Sequence, residues 1–190
     1  FFVISGGEPL IYKSNNKDIL DLVQQFTDSY FLIYTNGTLI DKKCAKKMAE
    51  LGNITPAISI EGYQYETDNR RGNGTYNKII NATQNLIEYG VPFGFSVTAT
   101  KLNINTLLDI QFYDYCFNKL NATYMWMFQY MPIGRNLSTD LMISPQQRLQ
   151  LFNLQEKLLI QNKWLVADFW NSAMISKGCI SCGKPDGYFY

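Results

Sequence analysis

The sequence predicts an α/β protein built on a parallel β-sheet. Five short apolar runs, rich in β-branched and aromatic residues, alternate with longer segments of helical periodicity. Strands that are apolar along their whole length are typical of a sheet covered on both faces. Strand–helix alternation with short connections indicates parallel neighbours joined by right-handed crossovers. We expect a barrel or barrel segment rather than an open doubly wound sheet, although periodicity alone does not separate the two.

The predicted strands are short, and a polar or Gly-containing segment follows most of them. Because the carboxyl ends of parallel strands lie at one edge of a sheet, these following segments are where a site is expected. The predicted strands are Phe2–Ser5, Phe31–Thr35, Ala57–Ile60, Phe93–Ala99 and Met125–Tyr130.

The predicted helices carry apolar residues at spacings of three and four. Gly52 and Gly90 follow two of them as C-cap residues, and Ser144 precedes another as its N-cap. After Trp164 the alternation stops, and Gly and Cys become dense over residues 177–184. The helices are Asp18–Tyr30, Asp41–Leu51, Tyr76–Tyr89, Asn105–Lys119 and Pro145–Gln161.

The composition excludes several classes of function. The chain has 190 residues, 17% of them charged, with a net charge of +1 and no histidine. A near-neutral chain without a basic cluster is not expected to bind nucleic acid. Without histidine there is no His-based triad, metal site or proton shuttle, so we expect a cofactor to supply any difficult chemistry. No apolar run is long enough to cross a membrane and no signal peptide is recognised, so no membrane association and a cytoplasmic location are expected.

Residues suited to ligand binding follow the predicted strands. The first strand runs into Ser5-Gly6-Gly7-Glu8-Pro9, where two glycines let a ligand approach the backbone and Glu8 offers a carboxylate to an ammonium group. The second ends in Thr35-Asn36-Gly37, and the third in Ser59-Ile60-Glu61-Gly62, with Arg71 in a Gly-rich loop behind it. An arginine can hold a ligand carboxylate by two hydrogen bonds. Alone, each segment also fits an ordinary turn or a surface arginine, so the hypothesis depends on their order and shared position.

In that order, the segments S-G-G-E-P, T-N-G, S-I-E-G, R-R-G-N-G-T-Y and Y-M-P-I-G-R resemble the motifs of radical S-adenosylmethionine (SAM) enzymes. The resemblance covers residues 1–135, and G-C-I-S-C-G-K-P-D-G-Y-F-Y is similar to the opening of a SPASM-type extension, in which cysteines bind an auxiliary iron–sulfur cluster. It implies a fragment of a partial (β/α)6 TIM-like barrel at residues 1–163. A linker and the start of the cluster-binding extension would occupy residues 164–190.

The sequence departs from the family at one defining element. The C-x-x-x-C-x-x-C loop, which holds a 4Fe–4S cluster in the family, is absent from this sequence. We expect that the loop and the first barrel strand are missing by truncation, and a member that has lost its cluster is the minor alternative. Either way, these residues alone are not expected to cleave SAM.

The resemblance implies cofactor-binding residues but no catalytic side chain. The backbone of Gly6 and Gly7 and the carboxylate of Glu8 would take the methionyl ammonium of SAM. Asn36 would shape the neighbouring wall of the site.

Five further positions complete the implied SAM site. Ser59 would contact the ribose, Arg71 the methionyl carboxylate, and Met131 the adenine, largely through its backbone. Ser96 and Thr98 share one face of their strand, which is either the barrel interior or the helix side. We expect these two hydroxyls to help line the SAM site.

Cys179 and Cys182 are the candidate metal ligands. A C-x-x-C pair can supply two ligands of one metal or cluster, and it also fits a redox pair or two unpaired thiols. By resemblance Cys179 is the better candidate, because Cys182 stands where Gly is common. Cys44 and Cys116 lie inside predicted helices and are expected to be small, buried or half-buried residues.

The resemblance implies that the complete protein reductively cleaves SAM at a 4Fe–4S cluster, and that the resulting 5′-deoxyadenosyl radical abstracts hydrogen from a substrate. A peptide or protein is the implied substrate, since SPASM-type tails accompany such modification, and a flavodoxin or ferredoxin would donate the electron. Two alternatives stay open. One is a catalytically inactive barrel that binds SAM or a peptide. The other is a non-radical α/β enzyme with a dithiol or zinc site at Cys179 and Cys182.

Overall fold

The computed structural model describes residues 1–134 and 138–169 of the chain. Cys179 and Cys182, with the SPASM-like segment around them, lie outside these residues. Among the described residues, six parallel strands form one curled half-barrel sheet in which neighbours along the chain are neighbours in space. This confirms the predicted α/β fold with a parallel, partial-barrel sheet. The strands are β1 (Phe2–Ile4), β2 (Phe31–Thr35), β3 (Ile54–Ser59), β4 (Gly94–Ala99), β5 (Tyr124–Gln129) and β6 (Val166–Asp168).

The first five strands overlap the predicted apolar runs, although β3 begins at Ile54, three residues before the predicted Ala57–Ile60, and β6 was not predicted. It pairs in parallel with β5, with Val166 opposite Met125 and Asp168 opposite Met127. The prediction that the alternation stops at Trp164 was therefore wrong. The strand is only three residues long and contains an acid, whose carboxylate accepts a hydrogen bond from Gln129 Nε2 at 2.6 Å. A partner supplied by another strand is not visible in a local sequence pattern.

The helices lie between the strands. Gly52 ends α2 in the left-handed conformation (φ 69°), and Ser144 caps α7 through a reciprocal capping box with Gln147, as those residue types favour. Residues 115–119 extend α6 as a π-helical turn. The helices are α1 (Ile19–Val23), α2 (Lys42–Leu51), α3 (Gln64–Arg71), α4 (Thr75–Glu88), α5 (Ile104–Leu107), α6 (Ile110–Asp114) and α7 (Pro145–Ile160).

Three helical predictions differ from the structure. The segment predicted as one helix over Asp18–Tyr30 contains only the five residues of α1, and the one over Asn105–Lys119 is divided among α5, α6 and the π-helical turn. Arg71 was placed in a Gly-rich loop, whereas it ends α3. The sequence of α3 is polar and buries only Thr67, so it has no apolar periodicity by which to recognise it.

The sheet has two chemically different faces. Ile54 and Ile58 of β3, and Phe95 and Val97 of β4, belong to the apolar core that the helices cover. Because successive side chains of a strand point to opposite faces, the intervening residues lie on the concave face. Among the described residues, no helix has the length and apolar character needed to cross a bilayer.

Candidate functional site

Glu8 joins the ends of the first two strands. It follows β1 and caps the 3-10 turn Pro9–Ile11, where its Oε1 accepts from the Leu10 amide at 3.2 Å. The same oxygen accepts from Thr35 Oγ1 at 2.6 Å, and Oε2 accepts from the Asn36 amide at 2.7 Å. A carboxylate offers about four lone-pair positions. Three donors occupy the Glu8 carboxylate, so it can accept one more hydrogen bond. The geometry suits a cationic group bound beside Glu8.

Gly6 and Gly7 lie next to this carboxylate with an exposed backbone. Their φ values are 93° and 51°, a left-handed region that favours glycine. A Cβ at either position would meet no atom within 4 Å. The open space above the two residues therefore lets a ligand approach the backbone.

Asn36 is occupied by its own turn. Its Oδ1 accepts from the Thr38 amide at 2.8 Å and from Thr38 Oγ1 at 2.7 Å, while its backbone amide donates to Glu8. This arrangement places Asn36 beside Glu8, and its role in shaping the wall of a SAM site stays a prediction.

Three predicted hydroxyls lie together on the concave face. Ser59 is the register neighbour of Ser96, and Thr98 lies two residues further along β4. The opposite side of β4, with Phe95 and Val97, faces the core, so Ser96 and Thr98 point to the barrel interior. None of the three hydroxyls hydrogen-bonds to a described residue, and Ser96 is only 9% exposed. Such groups need partners when water is excluded, and a ligand can supply them.

Small residues and aromatic rings shape the concave face around these hydroxyls. Ala57 and Gly94 are register neighbours in the middle of the sheet. The rings of Tyr34 on β2 and Phe128 on β5 meet edge to face with centroids 5.8 Å apart. Since two strands separate β2 from β5, the two rings meet over β3 and β4. Phe169, just after β6, stacks on Phe128 at 5.5 Å and extends the aromatic layer.

An apolar cavity of about 360 Å³ lies at the other end of the concave face. Residues at or before the strand starts line it, including Tyr30, Thr55, Tyr124 and Leu165. The Gly6-Gly7-Glu8 segment follows the end of β1, so this cavity is separate from the candidate site.

Arg71 contacts an acid that the sequence analysis did not select. Glu61, two residues after β3, is 1% exposed, and its Oε1 accepts from Nε and Nη2 of Arg71 at 2.9 and 2.5 Å. Its Oε2 accepts from Nη1 of Arg70 at 2.6 Å. Glu61 belongs to the S-I-E-G segment, and its position just after a strand is the signal that could have identified it.

Asn103 connects the ends of β3 and β4, and the sequence analysis did not identify it. It is buried, and its Nδ2 donates to the Glu61 carbonyl at 2.8 Å and the Thr98 carbonyl at 2.9 Å. Its Oδ1 accepts from the amide and the hydroxyl of Thr100 at 2.8 and 3.1 Å. The four bonds hold the edge of the sheet in place beside the candidate site.

Met131 lies at the same edge, two residues after β5, with 43% of its surface exposed. Its carbonyl accepts from the Ile133 amide at 2.9 Å. The backbone at Met131 is thus a defined turn at the carboxyl end of the sheet.

Cys44 and Cys116 are free thiols, half-buried and buried as predicted. Burial, with Asp41 nearby, raises the pKa of Cys44 to about 11, and burial raises that of Cys116. In residues 1–134 and 138–169, no group of three or more cysteine or acidic side chains could hold a metal ion. Cys179 and Cys182 fall outside this part of the chain.

The sequence of this chain matches a family model and is similar to two archaeal proteins. The family model described as Radical SAM superfamily matches residues 1–112. A Fe-coproporphyrin III synthase of Methanosarcina barkeri is 32% identical over 108 residues, which are 55% of this chain and 26% of that protein. An AdoMet-dependent heme synthase of the same organism is 28% identical over 142 residues, which are 73% of this chain and 39% of that protein.

Solved structures with the same fold include two with SAM bound. The structure of anSMEcpe with bound AdoMet and Cp18Cys peptide has a TM-score of 0.66 at 20% identity, covering 96% of this chain and 54% of that one. SuiB of Streptococcus suis bound to S-adenosylmethionine has a TM-score of 0.71 at 19% identity, covering 87% and 38%. The chain spans only 26% and 39% of the two curated relatives. Because the family model matches more than half of its residues, this chain belongs to the radical SAM superfamily.

Proposed function

We propose that this chain is the SAM-binding part of a radical SAM enzyme. The carboxylate of Glu8 carries the proposal, because it lies beside the open backbone of Gly6 and Gly7 and retains room for one more donor. In this arrangement Glu8 accepts from the methionyl ammonium, which places that end of SAM at the carboxyl ends of β1 and β2.

The concave face supports a place for the adenosine half. Ser59 and Ser96 are adjacent hydroxyls on the concave face, without protein partners in the described residues. A ribose offers hydroxyl groups of matching chemistry. Thr98 adds a third hydroxyl to the same face of β4. The Met131 backbone lies at the carboxyl edge of the sheet, where it would contact the adenine.

The group that completes the reaction is proposed to be held elsewhere in the full protein. SAM and a reduced 4Fe–4S cluster together supply a 5′-deoxyadenosyl radical that takes a hydrogen atom from the substrate. The four cysteines of this sequence include no C-x-x-x-C-x-x-C loop, so the cluster ligands are proposed to come from residues outside it. This chain alone is not expected to cleave SAM.

The segment after β6 is proposed to lead into a SPASM-type extension, with Cys179 as the first candidate ligand of an auxiliary cluster and Cys182 as the second. The support is the similarity of the G-C-I-S-C-G segment to such extensions. A flavodoxin or ferredoxin is the proposed electron donor. The proposed location is cytoplasmic.

Two substrate classes have support. A peptide or protein is favoured by the SPASM-like segment, and the SuiB structure bound to precursor peptide SuiA shares the fold at a TM-score of 0.68. A tetrapyrrole is the second candidate, because the relatives with 28–32% identity are named as synthases of heme and Fe-coproporphyrin III.

The test uses the full-length protein, reconstituted anaerobically with iron and sulfide and supplied with SAM and dithionite. We expect 5′-deoxyadenosine, and at least tenfold less from the E8Q variant, since an amide lacks the charge that pairs with the ammonium. Stimulation by a precursor peptide or by an iron porphyrin identifies the substrate class. SAM binding without any product from cluster-loaded protein would instead favour the inactive binding barrel. Zinc without iron after anaerobic handling would favour the non-radical enzyme.

A further inference from the structure

Glu61 organises two arginines beside the proposed SAM site. Its buried carboxylate accepts from Arg71 on Oε1 and from Arg70 on Oε2. Two guanidinium charges and one carboxylate charge leave the cluster with one excess positive charge. The excess charge suits an anionic group of a ligand.

Arg71 uses only one side of its guanidinium for Glu61. Its Nε and one N–H of Nη2 donate to the same oxygen, and no described residue accepts from Nη1. A guanidinium has five N–H donors, so the edge formed by Nη1 and Nη2 keeps its donors free. That edge is the fork that binds a carboxylate by two parallel hydrogen bonds. The side chain is 26% exposed, so a ligand can reach it.

Arg70 takes the other oxygen of Glu61. Its Nη1 donates to Oε2 at 2.6 Å, while both Arg71 donors go to Oε1. Arg71 therefore meets the carboxylate side-on, through Nε and Nη2.

Glu61 is held in place through its backbone. Its amide donates to Thr67 Oγ1 at 3.2 Å, and its carbonyl accepts from Asn103 Nδ2 at 2.8 Å. Thr67 lies on α3, the same helix whose last turn carries Arg70 and Arg71. The end of β3 and the end of α3 therefore form one unit, and the direction of the Arg71 fork is fixed by it.

We propose that Glu61 is a positioning residue that aims the free edge of Arg71 at the methionyl carboxylate of SAM, with Arg70 holding the second oxygen of Glu61. The proposal rests on the proposed SAM site and adds how one of its contacts, that of Arg71 with the methionyl carboxylate, is oriented. It predicts that the effect of Glu61 is specific for ligands that carry the amino-acid end of SAM.

The test measures equilibrium binding of two ligands to the full-length, cluster-loaded protein under anaerobic conditions. S-adenosylhomocysteine carries the amino and carboxyl groups, whereas 5′-methylthioadenosine lacks both. For E61Q we expect the Kd of S-adenosylhomocysteine to rise about tenfold or more and that of 5′-methylthioadenosine to change by less than about twofold, as loss of a charge-assisted contact predicts. R71K, which keeps the charge and removes the fork, should show the same pattern. E50Q, at an exposed acid of α2, is the matched control and should bind both ligands like the wild type.

The sign of the E61Q effect separates positioning from charge. Removing the Glu61 charge leaves two positive charges, so attraction by charge alone would tighten S-adenosylhomocysteine binding, and that result would overturn the proposal. Unchanged binding in E61Q, or equal losses for both ligands, would also overturn it and leave the SAM site standing. If the wild type binds neither ligand, the proposed SAM site is wrong and the positioning role falls with it.

Discussion

The ring of Tyr124 lies against the backbone of Gly94 on the concave face, and this contact predicts the effect of adding one methyl group. A Cβ at Gly94 would lie 2.3 Å from both Cδ2 and Cε2 of Tyr124 and 2.6 Å from Cζ. Carbon atoms in contact are normally about 3.5–4.0 Å apart, so the ring would have to move by roughly 1 Å or more. The Tyr124 hydroxyl lies 3.0 Å from Thr55 Oγ1, and this hydrogen bond would be lost by such a movement.

We expect G94A to lower the free energy of unfolding by about 2 kcal/mol. Overpacking costs about 1–3 kcal/mol, and the lost hydrogen bond costs about 1 kcal/mol. Replacing a strand glycine by alanine offsets about 0.5–1 kcal/mol of this, because glycine loses more backbone entropy on folding.

Urea unfolding followed by far-UV circular dichroism measures this difference as a shift in midpoint at unchanged slope. Y124F isolates the hydrogen bond and should cost about 1 kcal/mol. In a Y124A background the methyl group meets no ring, so adding G94A should be neutral or slightly stabilising. The same cost for G94A in both backgrounds would show that the ring contact is not the cause.

The remaining predictions concern the edge of the sheet and one thiol. N103A should lower the free energy of unfolding by about 3 kcal/mol or more, because three buried groups and the part-buried Thr98 carbonyl lose their partner. N85A removes one part-buried hydrogen bond and should cost about 1 kcal/mol, and similar costs for the two variants in urea unfolding would contradict the prediction. T35V removes the donor 2.6 Å from Glu8 Oε1 and leaves Glu8 held by the Leu10 and Asn36 amides alone, so SAM binding measured by calorimetry should weaken without loss of the folded state; unchanged affinity would show that the Thr35 hydrogen bond does not orient Glu8 for the ligand. With a pKa raised from 9.0 to about 11, Cys44 of the folded protein should be alkylated at pH 8 roughly a hundredfold more slowly than Cys44 of the urea-unfolded protein at the same pH. Mass spectrometry measures both rates, and equal rates would refute the raised pKa. Because the folded pKa is the higher one, the contribution of this thiol to stability is complete below pH 9 and is lost as the pH rises to about 11.

Much of the fold was predictable because its signals are local. Each of the first five strands overlaps a short, largely apolar run, and α2 and α7 carry recognisable caps at Gly52 and Ser144. Other elements lacked a local signal. The polar helix α3 buries only Thr67, and β6 depends on pairing with β5 and on a hydrogen bond from Gln129 to Asp168.

The candidate site shows the same division. The Gly6-Gly7-Glu8 segment was identified from its place after a strand and from its order among motifs that resemble those of the family. The face on which Ser96 and Thr98 lie could not be assigned, because alternation places two residues on one face without saying which face is the interior. Asn103 was missed altogether, since its partners Glu61, Thr98 and Thr100 come from two different strand ends.

The sequence by itself determined the alternation of strands and helices and the order of polar segments at the strand ends, because both depend on neighbouring residues. Only the tertiary structure decided that Thr35 and Asn36 hold the Glu8 carboxylate, and that Arg70 and Arg71 share the buried Glu61. These contacts join residues on separate elements, so they exist only once the parallel sheet has brought the strand ends to one edge.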